Sequence, residues 1–156
     1  RDAAERARRF GYEIVGYSEA FAGWKECFLH PRQAHGIVVQ LAESDPSADA
    51  GQWAQGWSFP PAPPSPPTPA RVVGLRLVAH DREIARRQWG SLLGGAESRE
   101  GDALMFHWPE SGLRIAVDID ATAAEEGPRW VEVTAERALA LPEGPVPALG
   151  ARFVRI

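Results

Sequence analysis

The sequence carries a single cysteine, Cys27. One cysteine cannot close a disulfide within the chain, which excludes an internally stapled scaffold and makes a reducing, cytoplasmic setting the expectation. Cys27 falls in Trp24-Lys25-Glu26-Cys27-Phe28-Leu29, a strand-like stretch, and reads there as a small buried hydrophobe rather than a nucleophile. No apolar run approaches the roughly 20 residues that span a bilayer, so no membrane partner is expected. Lys and Arg number 17 against 21 Asp and Glu, a net charge of −4, and no basic stripe interleaves with aromatics. Nucleic acid is therefore not an expected partner. A Gly-x-Ser-x-Gly elbow and a Gly-rich phosphate loop are both missing, which removes the usual grounds for serine hydrolysis or nucleotide binding.

What is present is ordinary for a globular chain: 156 residues, 44% hydrophobic and 24% charged. The exception is residues 44–70, which hold eight prolines and end in Phe59-Pro60-Pro61-Ala62-Pro63-Pro64-Ser65-Pro66-Pro67-Thr68-Pro69. Proline has no N–H for a sheet ladder and favours extended polyproline II, so this stretch reads as a semi-rigid linker. Trp53 and Trp57 are candidates for docking it onto a domain.

Either side of the linker, hydrophobic period predicts the elements. Residues 2–10 read as a helix with Ala4, Ala7 and Phe10 on one face, stopped by Gly11 at C′. Strands are predicted over 12–17, 24–29 and 37–42, with a loop over 18–23 and a His30–Gly36 turn. In the third strand Ile37, Val39 and Leu41 face one way, and Val38, Gln40 and Ala42 the other. Beyond the linker, a strand is predicted over 71–79, then Asp81 as N-cap of a helix over 81–93 stopped by Gly94-Gly95. Strands at 96–99, 103–108 and 113–119 follow. Two more strand-like stretches, 129–134 and 151–156, have no assigned role.

The two halves repeat. Each runs helix, strand, strand, turn, strand, and Phe28-Leu29-His30-Pro31 with Gly36-Ile37-Val38-Val39 aligns with Phe106-His107-Trp108-Pro109 and Gly112-Leu113-Arg114-Ile115. The second copy has an opening strand, 71–79, that the first lacks. Since Arg1 also falls at the head of a helix, an upstream strand is the expectation.

The run Phe28-Leu29-His30-Pro31-Arg32-Gln33-Ala34-His35-Gly36-Ile37-Val38-Val39-Gln40-Leu41 resembles the end of a module of the vicinal oxygen chelate superfamily, in particular its glyoxalase and methylmalonyl-CoA epimerase branch. Leu75–Asp81 with Trp89 and Leu92-Leu93-Gly94 resembles the opening of such a module. Asp2-Ala3-Ala4-Glu5-Arg6-Ala7 through Gly11-Tyr12 resembles the helix and the entry to the second strand of the same module, and together these resemblances cover residues 1–43 and 71–120. They imply an α+β fold in which paired βαβββ modules form a cup-shaped mixed sheet. Domain organisation would be the C-terminal αβββ part of one module over 1–43, the linker over 44–70, and a second, degenerate module with extra strands over 71–156.

The family's chemistry uses a divalent metal (Co, Ni, Zn, Mn or Fe) that binds two neighbouring substrate oxygens as a Lewis acid. By that resemblance Gln40 stands at a metal-ligand position usually held by Glu, and most other ligands are expected upstream of this chain. In the second module the two ligand positions fall on Gly74 and Ala116, which have no donor. Arg76 and Arg114, with Asp118 nearby, are the side chains left to contact an anionic substrate, or to form a plain Arg–Asp pair. His30, His35, His80 and His107 lack the companions of a metal site and read as surface or flanking residues. The expected function is a metal-dependent isomerase, epimerase or lyase acting on a small vicinal-oxygen substrate, with a homodimer as candidate assembly. The alternatives are a non-enzymatic, resistance-type small-molecule binder, or a structural and dimerising module that has lost its metal site.

Overall fold

The computed structural model describes residues 2–45, 47, 61, 64 and 69–156. Trp53, Trp57 and most of the proline-rich stretch lie outside the described residues. The fold is α+β, with an antiparallel three-stranded sheet and a mixed six-stranded sheet. The chain divides into two compact units: 1–34 with 38–65, and 35–37 with 66–156.

The first unit opens with α1 (Asp2–Arg9), which buries Ala4 and Ala7. Its end is a Schellman turn: Tyr12 N–H reaches Ala7 O at 3.0 Å and Gly11 N–H reaches Arg8 O at 2.9 Å. Gly11 takes φ +84°, a conformation that costs a β-carbon dearly, which is why the helix stops where glycine allows it. Strand β1 (Ile14–Phe21) then pairs with β2 (Trp24–Leu29). The loop expected over 18–23 is instead mostly strand. Irregular register after Val15 and again after Ser18 lets β1 continue to a Phe21–Trp24 pair. A 3₁₀ turn at Pro31–Gln33 leads to β3 (Val39–Ser44), which starts two residues later than the alternation suggests. The displaced residues, His35–Ile37, pack in the second unit.

In the second unit β4 (Arg71–Ala79) occupies the predicted span. Asp81 caps the following helix, accepting from Glu83 N–H at 2.7 Å and Ile84 N–H at 2.9 Å. That helix, α2, begins as α-helix over Arg82–Ala85 and continues as π-helix over Arg86–Leu92, where an uninterrupted α-helix was expected. The wider turn lets adjacent residues Gln88 and Trp89 both face inward, at 0% and 5% exposure. Trp108 donates to Leu93 O at 2.7 Å and closes the helix C-terminus against the sheet. Strands β5 (Ala96–Glu100), β6 (Ala103–His107), β7 (Arg114–Ile119), β8 (Gly127–Thr134) and β9 (Phe153–Arg155) complete the sheet in the order β5-β6-β7-β4-β8-β9. β4 runs parallel to β7 through the α2 crossover, and the two late strand-like stretches extend the other edge of β4.

One face of this sheet is apolar, with Leu77, Leu104, Phe106 and Val117 fully buried on the α2 side. Gln88 sits in this layer, and neither atom of its side-chain amide has a hydrogen-bond partner among the described residues. Substituting it by Leu, which is close in volume, removes that desolvation cost. Gln88→Leu is expected to stabilise the chain by about 1 kcal/mol, seen as a higher urea midpoint at unchanged m.

Candidate functional site

The helix-free face of the six-stranded sheet follows from register. Gly74 lies opposite Arg114 on β7 and Glu132 on β8; Arg76 lies opposite Ala116 and Trp130; Val78 lies opposite Asp118. Three small or flexible residues, Ala103, Met105 and Ala116, form a buried floor beside them. Upon it stand two arginines and three carboxylates.

Arg76 grips Asp118 through two hydrogen bonds, Nε to Oδ2 at 2.9 Å and Nη2 to Oδ1 at 2.8 Å. Its Nη1 also lies 3.8 Å from Glu132 and 3.7 Å from Glu100. Arg114 donates from Nε to Glu132 Oε2 at 2.8 Å and from Nη1 to Glu100 Oε2 at 3.2 Å. The Asp118 hydrogen bond, with support from Glu132 and Glu100, pushes the Arg76 pKa above its ordinary value despite partial burial. The Glu132 side chain is 1% exposed and Glu100 54% exposed, so the first is a locked anion and the second a reachable one. Trp130 lies against two guanidinium groups, Arg76 at 5.4 Å and Arg152 at 5.6 Å from the ring centre. Beyond it an open pocket of about 500 Å³ is lined by Val78, Asp118, Asp120, Pro128, Arg129, Trp130 and Arg152.

Gly74 and Ala116 sit on this face and offer no donor atom. The space over Gly74 is already filled: a β-carbon there would lie 2.8 Å from Arg114 Cγ and 2.8 Å from Glu132 Oε2. These residues do not fit a metal centre in the six-stranded unit. Arg76 and Arg114 are brought together, but among the described residues their guanidinium groups are engaged by carboxylates of the chain and by Trp130.

Gln40 lies on the helix-free face of the three-stranded sheet. Its Nε2 donates to Glu26 Oε2 at 2.7 Å, a diagonal contact between β2 and β3. Holding the amide nitrogen toward Glu26 turns the amide oxygen away from that carboxylate, so the two oxygens do not converge on one point. Two oxygen donors suit a hard or borderline cation but do not fill a coordination sphere. Among the described residues, no group of three or more His, Cys, Asp or Glu side chains could hold a metal ion. On the opposite face of this sheet, Cys27 is buried, and that burial raises its thiol pKa.

The histidines are dispersed. His30 Nδ1 accepts from Arg32 N–H, and His107 Nε2 lies 2.9 Å from Ser98 Oγ. His35 is 1% exposed, with Nδ1 3.3 Å from Glu126 Oε1. The same carboxylate oxygen accepts from His80 N–H at 2.7 Å.

Glu132 and Glu100 were not singled out from the sequence. The signal for Glu132 was a charged residue between Val131 and Val133, in phase with Trp130 along β8. It carried meaning only once β8 was known to lie beside β4.

No protein-family model matches the chain, and no curated protein matches it. Among solved structures, a hypothetical protein from Staphylococcus aureus is similar, with a TM-score of 0.57 at 10% sequence identity. The likeness covers 99% of this chain and 62% of that one, so this chain spans less than two thirds of that protein's length. At this identity it speaks to fold alone. Among the described residues, no helix is long and apolar enough to cross a membrane.

Proposed function

We propose that the chain belongs to a protein of the vicinal oxygen chelate type, related to glyoxalases and methylmalonyl-CoA epimerases, that acts on a small vicinal-oxygen substrate as an isomerase, epimerase or lyase. The reading includes the finer fold, a cup-shaped sheet made from paired βαβββ modules. The observation that carries it is the strand order β5-β6-β7-β4, with α2 between β4 and β5 and β4 parallel to β7. That is one βαβββ module, and α1-β1-β2-β3 repeats its last four elements. In this reading a divalent metal, when bound, would act as Lewis acid toward two substrate oxygens. Gln40 is the side chain of this chain that would help hold it, and the six-stranded unit takes no part in metal binding.

Cobalt loading tests this. The full-length protein, dialysed against chelator and then titrated with Co²⁺, should take up about one ion per molecule, and Gln40→Leu should lose most of that uptake. Absence of stoichiometric uptake by the full-length protein overturns the metal-dependent reading. A second reading, non-enzymatic binding of a small molecule, is favoured by the donor-free positions Gly74 and Ala116 and by the polar face around Arg76 and Arg114.

A further inference from the structure

Arg76 and Arg114 are occupied by carboxylates of the chain, so an anion that reaches this face needs other cations. Arg129 and Arg152 supply them. Both are exposed, and among the described residues neither forms an ion pair. They line the open pocket of about 500 Å³ beside Trp130, a volume ordinary for a small-molecule site.

The pocket owes its shape to strands that the βαβββ module does not contain. Pro128, Arg129 and Trp130 come from β8, and Arg152 directly precedes β9. A regular strand turns neighbouring side chains to opposite faces. Here the β4–β8 register slips: Arg76 pairs with Trp130 and Leu77 with Pro128, which leaves Arg129 as an extra residue. That bulge lets three consecutive residues line one pocket. Arg152 is tied in beside them, because Val131 N–H donates to its carbonyl oxygen at 2.8 Å and its guanidinium lies 5.6 Å from the Trp130 ring centre. Arg76, at 5.4 Å from the same ring, is held by Asp118, so the indole is braced in advance of any ligand.

We propose that this pocket binds a small aromatic monocarboxylate, with its ring against Trp130 and Pro128 and its carboxylate between the Arg129 and Arg152 guanidinium groups. The planar guanidinium matches a carboxylate in geometry as well as charge. Asp118 and Asp120 line the same pocket and set the limit of one negative charge, since a phosphate dianion would meet two carboxylates along with the two arginines. Both aspartates are committed to the chain: Asp118 to Arg76, and Asp120 to the Thr122 N–H at 2.9 Å and the Thr122 hydroxyl at 2.7 Å.

The test titrates 2-naphthoate into the full-length protein with EDTA present, since neither Gln40 nor a metal takes part. The indole N–H resonance that disappears in Trp130→Phe identifies that ring, and it should shift as the ligand saturates. Arg129→Gln and Arg152→Gln should each weaken binding about tenfold, the loss of one charge-assisted hydrogen bond. 2-Naphthylmethanol keeps the rings without the charge and should also bind about tenfold more weakly. The proposal is overturned by absence of saturable binding, by binding that leaves the Trp130 resonance unmoved, or by unchanged affinity in both arginine variants. Equal affinity for 2-naphthylmethanol or for 2-naphthyl phosphate overturns it as well. None of these outcomes touches cobalt uptake, so failure here is separate from failure of the metal-dependent reading.

Discussion

Arg114→Met is expected to destabilise the chain by about 3–5 kcal/mol, measured by urea unfolding at neutral pH. The reason is the carboxylate left behind. Glu132 is 1% exposed, and its short hydrogen bond comes from Arg114 Nε at 2.8 Å. Without that donor, among the described residues only Arg76 Nη1 remains as a cation near it, at 3.8 Å. A buried ion that loses its partner costs far more than the pair contributes relative to apolar residues of the same shape. Arg114→Met with Glu132→Leu should therefore recover most of the loss, although each change removes a charged group. A loss below about 1 kcal/mol in the single variant would show that Glu132 does not depend on Arg114.

Gly74→Ala is expected to cost about 1–3 kcal/mol, a large effect for one methyl group. The new carbon meets Arg114 Cγ and Glu132 Oε2, which can shift, and the Arg114 carbonyl oxygen at 2.9 Å, which is fixed by the β4–β7 ladder. Combining Gly74→Ala with Arg114→Met should relieve little, because the carbonyl remains in the way. If Gly74→Ala is neutral, the close approach of the Arg114 carbonyl oxygen to β4 is wrong.

Much of the fold was legible because local chemistry decided it. β2 and β4 occupy their predicted spans, Asp81 caps its helix, and Gly11 ends α1 in the motif expected of a C′ glycine. What local chemistry does not decide was missed. A π-helical turn and an α-helical one share composition, so Arg86–Leu92 gave no warning. The repeat also slipped by one residue when read from aromatics. Phe106 is fully buried on the α2 side, whereas Phe28 lies between buried Cys27 and Leu29 and faces the other way, so Leu29 is its counterpart.

The candidate site was half legible. Arg76, Arg114 and Asp118 were placed on one face by strand parity and the resemblance, and register puts them there. Their partners Glu132 and Glu100 come from β8 and the far end of β5, and sequence alone does not say which strands become neighbours. A charge read without its counter-charge looks available to a ligand. The plain Arg–Asp pair that the sequence allows is present as Arg76–Asp118, while the engagement of Arg114 by Glu132 and Glu100 needs the strand order.

The tripeptide His35–Ile37 gives the second unit a discontinuous boundary. Gly36, at φ +72°, comes so close to the chain at residue 126 that a β-carbon there would lie 2.6 Å from the Glu126 carbonyl oxygen. The His35–Glu126 contact beside it closes a loop of 91 residues, which places it among the entropically costlier closures of the fold. The proline-rich stretch therefore separates the halves in sequence but not in membership: a chain that starts at Arg71 carries Glu126 without the glycine and histidine that seat it.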